Sequence, residues 1–139
     1  MRLIGFVADR QTNRTIFARL AASLGADIRV ETFATPQEAL DWFATEQVPD
    51  LVITDYKMPR MDGAAFTARI RALDWGYDVP VVVVTAYEDR NYRLSALEAG
   101  ATDFLLSPVD HTEFLTRARN LLRLSWYQKR VRFRAMQLE

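Results

Sequence analysis

The sequence predicts an α/β fold in which helices cover both faces of a parallel β-sheet. Five short apolar runs alternate with five segments of helical periodicity along the 139 residues. One run consists of four consecutive valines at residues 81–84, and an unbroken β-branched run suits a central strand that is buried on both faces. A chain of this length is long enough for one domain with a real core and short for two.

The first half of the chain begins with two units, each a strand followed by a helix. Residues 3–8 form the first apolar strand, and we expect Thr12 to cap the helix that follows it. A second strand at residues 28–31 alternates apolar with charged side chains, so we expect it to be half exposed. The pair Thr35 and Pro36 then opens a second helix, because proline is favoured at the first helical position.

The remaining elements complete a doubly wound sheet. They are a third strand at residues 51–53, a helix at about 63–73, the valine strand, a helix at about 89–99, a strand at 102–106 and a long last helix from about 110. Right-handed crossovers and a flavodoxin-like strand order, 2-1-3-4-5, place strands one, three and four at the centre of this (βα)5 sheet. Asp9, Asp55 and Thr85 follow or end those three strands, so we expect them to meet at one edge.

Composition excludes several classes of function. The chain has no cysteine and one histidine, His111, which argues against disulfides, thiolate metal sites and histidine-based catalysis. Its 18 basic residues balance 18 acidic ones, so a nucleic-acid-binding face is not expected. Neither a membrane span nor a signal peptide is recognisable, and we expect a cytoplasmic domain.

The stretch from Pro49 to Gly63 organises the chain. Asp55 ends a buried apolar strand, Pro59 prevents further regular pairing, and Asp62 and Gly63 turn the chain into the next helix. Taken alone, a strand-end aspartate is more typical of a turn. The complete pattern, Asp-x-x-Met-Pro-x-x-Asp-Gly after a buried strand, resembles the phosphoacceptor loop of receiver domains in two-component response regulators. The resemblance covers nearly all of residues 1–122.

The resemblance implies a specific chemistry. Asp55 would accept a phosphoryl group from a sensor histidine kinase or phosphotransfer protein, with no enzymatic activity beyond this transfer and hydrolysis of the product. Asp9, Asp55 and the backbone carbonyl of Lys57 would bind Mg²⁺, since two converging carboxylates repel each other without a cation. Thr85 matches the family's switch hydroxyl and Phe104 its switch aromatic, although a strand-end threonine and a core phenylalanine are also ordinary.

Two residues depart from the family pattern. Receivers carry two acidic residues after the first strand, and the first of these is Ala8 here, which implies a weakened Mg²⁺ site. Receivers also carry a lysine just before the proline that follows the fifth strand, and Ser107 stands in its place. Removing one such electrostatic donor costs on the order of 10²–10³ in rate in other enzymes. Arg10, Lys57 or Arg90 are candidates for a replacement charge.

The last helix is longer than a receiver needs. Residues 123–139 are interpreted as a helical extension that leads to an output domain beyond Glu139. The last helix carries two mainly apolar stripes, which predict a contact outside the domain and favour a homodimer, either through the first stripe or together with the fourth helix and fifth strand. The first stripe is Leu121, Leu124, Gln128, Val131, Ala135 and Leu138, and the second is Leu122, Trp126, Phe133 and Met136.

Three functions compete. A phosphorylatable receiver is favoured because Asp9, Asp55 and Thr85 are all present, and Tyr87 would either shield the phosphoryl group from water or simply cover the surface. A degenerate receiver that acts as a phosphorylation-independent interaction module is the alternative suggested by the two departures. A haloacid-dehalogenase-type phosphatase is set aside, because Lys57 occupies the place of its second aspartate.

Overall fold

Strands and helices alternate along the described chain, residues 2–86 and 90–138 of a computed structural model. The strands are β1 (Arg2–Val7), β2 (Ile28–Phe33), β3 (Leu51–Asp55), β4 (Val81–Ala86) and β5 (Asp103–Ser107). The helices are α1 (Gln11–Ala22), α2 (Pro36–Thr45), α3 (Gly63–Arg71), α4 (Arg90–Glu98) and α5 (His111–Leu138). No described helix is both long and apolar enough to cross a membrane.

The sheet is parallel, with the strand order β2-β1-β3-β4-β5, which confirms the predicted topology. Helices α1 and α5 cover one face and α2, α3 and α4 cover the other, so alternate residues of each central strand enter two separate apolar cores. The valine strand β4 lies between β3 and β5 and is buried on both faces, as predicted. The carboxyl ends of β1, β3 and β4 therefore lie side by side.

The starts of α1 and α2 differ in how well the sequence predicts them. Thr35 caps α2 as expected, because its hydroxyl accepts a hydrogen bond from the backbone N–H of Glu38 at 3.1 Å. The expected cap at Thr12 is wrong, since α1 already begins at Gln11 and the cap residue Arg10 makes no side-chain capping bond. The connection from β1 is only three residues long, which places Thr12 inside the helix.

Helix α5 has two parts with different surroundings. Phe114, Ala118 and Leu122 are almost fully buried against the sheet, as expected from their spacing. Further along, Ser125 is 4% exposed and the Lys129 ammonium pairs with the carboxylate of Asp50 at the amino end of β3. The first turns of the predicted extension thus lie against the body of the domain.

Candidate functional site

A cavity of about 350 Å³ opens at the carboxyl edge of the sheet. Its walls come from the turn after β1, the end of β3, the last residues of β4, the first turn of α4 and the end of β5. Asp9, Asp55 and Thr85 all line it, so the structure brings together the three side chains that the sequence placed at this edge. Lys57 and Ser107 line the same cavity.

The loop after β3 fixes the position of Asp55. The backbone N–H of Tyr56 donates to the carbonyl of Val84 on β4 at 2.9 Å, and the N–H of Gly63 donates back to the carbonyl of Tyr56 at 2.7 Å. A side chain at Gly63 would put its Cβ within 2.6 Å of the Asp55 carbonyl oxygen, so only glycine allows this close return. Asp62 caps α3 by accepting a hydrogen bond from the N–H of Ala65 at 2.8 Å.

The electrostatics of the cavity centre on Asp55. Burial and, to a smaller extent, the neighbouring negative charge of Asp9 raise the pKa of this carboxyl to about 6. A hydrogen bond from the side chain of Asn13 and the positive charge of Arg10 act in the opposite direction. The sequence analysis missed Asn13, because this residue belongs to no motif. It comes close to Asp55 only because the first turn of α1 lies near the end of β3.

The hydroxyl of Thr85 is a buried polar group at the carboxyl end of β4. The residue is 3% exposed, and its Oγ1 makes no hydrogen bond to any described residue. An unpaired buried hydroxyl costs stability, and this one belongs to a residue that lines the carboxylate-containing cavity.

Comparison with known proteins identifies the family. The family model of the response regulator receiver domain matches residues 4–119. The chain belongs to the receiver domain family.

Regulators and receiver structures from several bacteria are similar to it. The chain is 37% identical over 136 residues to the cyclic di-GMP phosphodiesterase response regulator RpfG of Xanthomonas campestris, covering 98% of this chain and 36% of that protein. It is 40% identical over 94 residues to the response regulator MprA of Mycolicibacterium vanbaalenii, covering 68% of this chain and 39% of that protein. The chain thus spans less than half of either relative.

Two solved structures carry the same fold. A response regulator receiver protein from Pseudomonas putida superposes with a TM-score of 0.77 at 26% identity, covering 86% of this chain and 96% of that one. The signal receiver domain of an HD domain-containing protein from Pseudomonas fluorescens gives a TM-score of 0.83, covering 93% and 92%. At 22% identity, this second likeness concerns the fold alone.

Receiver domains bind Mg²⁺ at an acidic pocket, and the carboxylates of Asp9 and Asp55 in this receiver's pocket fit such an ion. Asp9 and Asp55 interact electrostatically, and a cation between them would offset their repulsion. No group of three potential acidic, histidine or cysteine ligands occurs among the described residues. Mg²⁺ tolerates few protein ligands because it retains several waters.

The three basic residues that could replace the charge of the missing lysine differ in their position relative to the cavity. Arg10 and Lys57 line the cavity, whereas Arg90 does not. The Lys57 ammonium lies 5.2 Å from the centre of the Tyr92 ring, on the first turns of α4. Tyr92 in turn stacks on Tyr56 at 4.3 Å, which ties the phosphoacceptor loop to α4.

Two residues named in the sequence analysis remain, Phe104 and Tyr87. Phe104 on β5 is partly buried and packs against the core on the α2, α3 and α4 face. It lies opposite Val83, two residues before Thr85 on β4. Tyr87 lies outside the described residues.

Proposed function

We propose that this receiver accepts a phosphoryl group on Asp55 from the phosphohistidine of a sensor histidine kinase or phosphotransfer protein. One observation carries the proposal: a strand-end carboxylate lines the same cavity as Thr85, whose buried hydroxyl has no hydrogen-bond partner in the described part of the chain. With a pKa of about 6, Asp55 is mostly ionised at neutral pH and can act as a nucleophile. The degenerate-receiver alternative lacks a comparable observation.

The transfer follows from the arrangement of the groups. An Asp55 carboxylate oxygen attacks phosphorus in line, the bond from phosphorus to the donor's imidazole nitrogen breaks, and the electron pair leaves with the imidazole. The Thr85 hydroxyl, which no described residue engages, donates a hydrogen bond to a phosphoryl oxygen. Asp9, Asp55 and the carbonyl of Lys57 would hold Mg²⁺, which offsets the negative charge of the phosphoryl oxygens.

Intact-mass measurement with acetyl phosphate tests this function without the kinase. We expect one added phosphate in the presence of Mg²⁺, little with a chelator, and none in Asp55→Asn. Asp62→Asn is the matched control, because it neutralises another aspartate of the same loop while retaining a capping side chain. If the wild type takes up neither phosphate nor beryllofluoride at millimolar Mg²⁺, the degenerate-receiver function replaces this one.

We infer that the Mg²⁺ site is weaker than in receivers with two adjacent acids. Ala8 is fully buried and has no side-chain oxygen that could bind a metal ion. Its backbone carbonyl accepts a hydrogen bond from the Arg14 guanidinium at 2.6 Å. Ala8→Asp adds the missing carboxylate and is expected to lower the Mg²⁺ concentration that half-saturates the site. Titration of metal-free protein by NMR measures the change, and unaltered affinity contradicts the inference.

We propose that Ser107 partly uncouples phosphorylation from the conformational change. Its side chain lines the cavity but is too short and uncharged to bind a phosphoryl oxygen as a lysine would. Ser107→Lys should increase the beryllofluoride-dependent change in amide exchange of α4 and α5, with Phe104 as the switch aromatic. Equal responses in wild type and variant would eliminate this idea.

We propose that the C-terminal part of α5 forms a homodimer contact and passes the signal to an output domain. Leu124 is 42% exposed and Val131 is 67% exposed, which leaves an apolar surface on the extension. The predicted stripe is not continuous, because Gln128 lines a small cavity against the body of the domain, and the side chains of its last two members lie outside the described part. Sedimentation of the chain with and without Leu124→Glu and Val131→Glu tests the dimer, and a monomeric wild type at high micromolar concentration contradicts it.

The match to RpfG covers 98% of this chain, including the extension, but 36% of that regulator. This supports the division into a receiver at residues 1–122 and a connecting helix at 123–139 that precedes an output domain. Limited proteolysis of a full-length protein should then cut after α5 and leave the receiver intact.

A further inference from the structure

The cap residue and the first turn of α1 present two polar side chains to the phosphorylation cavity that no family motif explains. Arg10 and Asn13 both line the cavity beside Asp55. Neither contributes a side-chain cap to α1, so their role is not to stabilise the start of their own helix. Ser107, which stands where the family carries a lysine, lines the same cavity.

Both side chains act on the phosphoacceptor. The Asn13 and Arg10 side chains line the cavity together with Asp55, and both lower the pKa of its carboxyl, which means that both favour its ionised form. Arg10 is exposed, and no ion pair with a described residue involves its side chain. Its charge therefore remains available to an anion that enters the cavity.

The backbone that carries these residues is fixed. Arg14 reaches back across the turn and donates from its guanidinium to the Ala8 carbonyl at 2.6 Å, closing the connection between β1 and α1. In addition, the N–H of Ala8 donates to the carbonyl of Phe33 on β2 at 3.1 Å. The turn thus holds Arg10 and Asn13 in place by contacts that do not involve Asp55.

We propose that Arg10 is a catalytic residue that binds a phosphoryl oxygen in place of the lysine replaced by Ser107, and that Asn13 positions the Asp55 carboxylate for attack. This inference rests on the proposed function. During transfer the Asp55–phosphorus bond forms as the donor bond breaks, and Arg10 remains protonated throughout. Its guanidinium offsets the charge on the phosphoryl oxygens, which a serine hydroxyl cannot do.

The rate of phosphorylation by acetyl phosphate at saturating Mg²⁺ tests the role of Arg10. We expect Arg10→Ala to reduce the rate by on the order of 10²-fold and Arg10→Lys to recover part of it. Arg19→Ala is the matched control, because it removes an exposed arginine from the last turn of the same helix. The two effects should differ by at least about tenfold, and similar rates in the two alanine variants would overturn the assignment.

A second measurement separates direct contact from a structural effect. Removing a cation from the cavity should leave Mg²⁺ affinity unchanged or increased, while beryllofluoride affinity, followed by NMR, falls. A local structural defect would instead weaken both ligands together. Asn13→Ala should slow phosphorylation about tenfold without changing beryllofluoride affinity, compared with Thr12→Ala on the exposed side of the same turn.

The double variant Arg10→Ala with Ser107→Lys provides the strictest test. If Arg10 performs the task of the missing lysine, Ser107→Lys should restore most of the rate in the Arg10→Ala background and change it little in the wild type. Additive effects of the two substitutions would overturn the proposal. A wild type that is not phosphorylated at all contradicts the proposed function itself, whereas a phosphorylated wild type with an unaffected Arg10→Ala contradicts only this inference.

Discussion

The two ends of β3 carry two aspartates with opposite surroundings. Asp50, just before the strand, is 7% exposed, and its carboxylate accepts a hydrogen bond from the N–H of Leu3 at 2.8 Å and pairs with the Lys129 ammonium. Asp55, at the other end, lies beside the negative charge of Asp9, and burial raises its pKa to about 6. One carboxylate is matched by donors and a cation, and the other is held against a like charge.

The two aspartates therefore differ in role: the surroundings of Asp50 suit a structural residue, and those of Asp55 suit a functional one. A buried carboxylate with complementary partners stabilises the fold, whereas one held in an unfavourable environment marks a site where a ligand supplies the missing partner. The same contrast holds for buried hydroxyls. Thr67 donates to the carbonyl of Gly63 at 2.7 Å, while the hydroxyl of Thr85 has no partner among the described residues.

The largest effect on stability is expected at Asp55. Because its pKa is raised in the folded state, the native protein binds this proton more tightly than the unfolded chain, and the free energy of unfolding falls as pH rises from about 4 to 6. The raised pKa corresponds to on the order of 2 to 3 kcal/mol, lost by pH 7. Asp55→Asn should therefore stabilise the metal-free protein at pH 7.5 and make its stability less dependent on pH in this range.

Urea denaturation with a chelator at pH 4.5, 6 and 7.5 measures this dependence. The comparison of wild type with Asp55→Asn isolates the one carboxyl from other titrating groups. Parallel pH curves for the two proteins would show that Asp55 is not held in an unfavourable state. Added Mg²⁺ should reduce the difference at pH 7.5, since the cation supplies the missing partner.

Replacing Asp50 should lower the free energy of unfolding, the opposite of the effect expected for Asp55→Asn. Asp50→Ala leaves the N–H of Leu3 without its buried acceptor, and we expect a loss of roughly 1 to 2 kcal/mol in the free energy of unfolding. Asp50→Asn retains an acceptor oxygen and should cost less. Chemical denaturation at pH 7.5 compares the two variants. A stability gain in Asp50→Ala, like that expected for Asp55→Asn, would remove the contrast between the two ends of β3.

The contrast was partly predictable from the sequence. The strand order and the meeting of Asp9, Asp55 and Thr85 follow from local periodicity and the rules of parallel sheets, and the structure confirms both. The position of Asn13 beside Asp55 depends on how a helix crosses the end of a strand, which no local pattern specifies. Asp50 and Lys129 are 79 residues apart in sequence. The sequence offers many basic residues, so it could not indicate which of them pairs with Asp50.

The two buried hydroxyls give a smaller test of the same idea. Thr85→Val replaces an unpaired hydroxyl by a methyl group of similar size and should raise the free energy of unfolding by about 1 kcal/mol. Thr67→Val removes a hydroxyl that is hydrogen-bonded and should not stabilise the protein. Beryllofluoride binding should weaken in the Thr85 variant alone. Loss of stability in Thr85→Val would mean that its hydroxyl already has a partner.

The smallest effect is expected at the cation that matches Asp50. The Lys129 side chain is 55% exposed, so its pairing energy is screened by water, and Lys129→Ala should cost about 0.5 kcal/mol. Arg134→Ala, further along α5, is the control for loss of one positive charge. A double-mutant cycle with Asp50→Asn measures the pairing energy itself, and no coupling would mean that the pair contributes nothing to stability.

Even a weak pair has a structural consequence at this position. Ser125, one turn before Lys129, is buried, so Lys129 contacts the body where α5 emerges from it. Its loss should increase amide exchange at residues 125–138 much more than it changes global stability, because local opening requires less free energy than unfolding. Exchange that rises equally in α1 would show a general loss of stability instead. A rise confined to α5 would mean that Asp50, just before β3, holds the connecting helix through Lys129. Asp55, at the other end of the strand, is then left to receive the phosphoryl group.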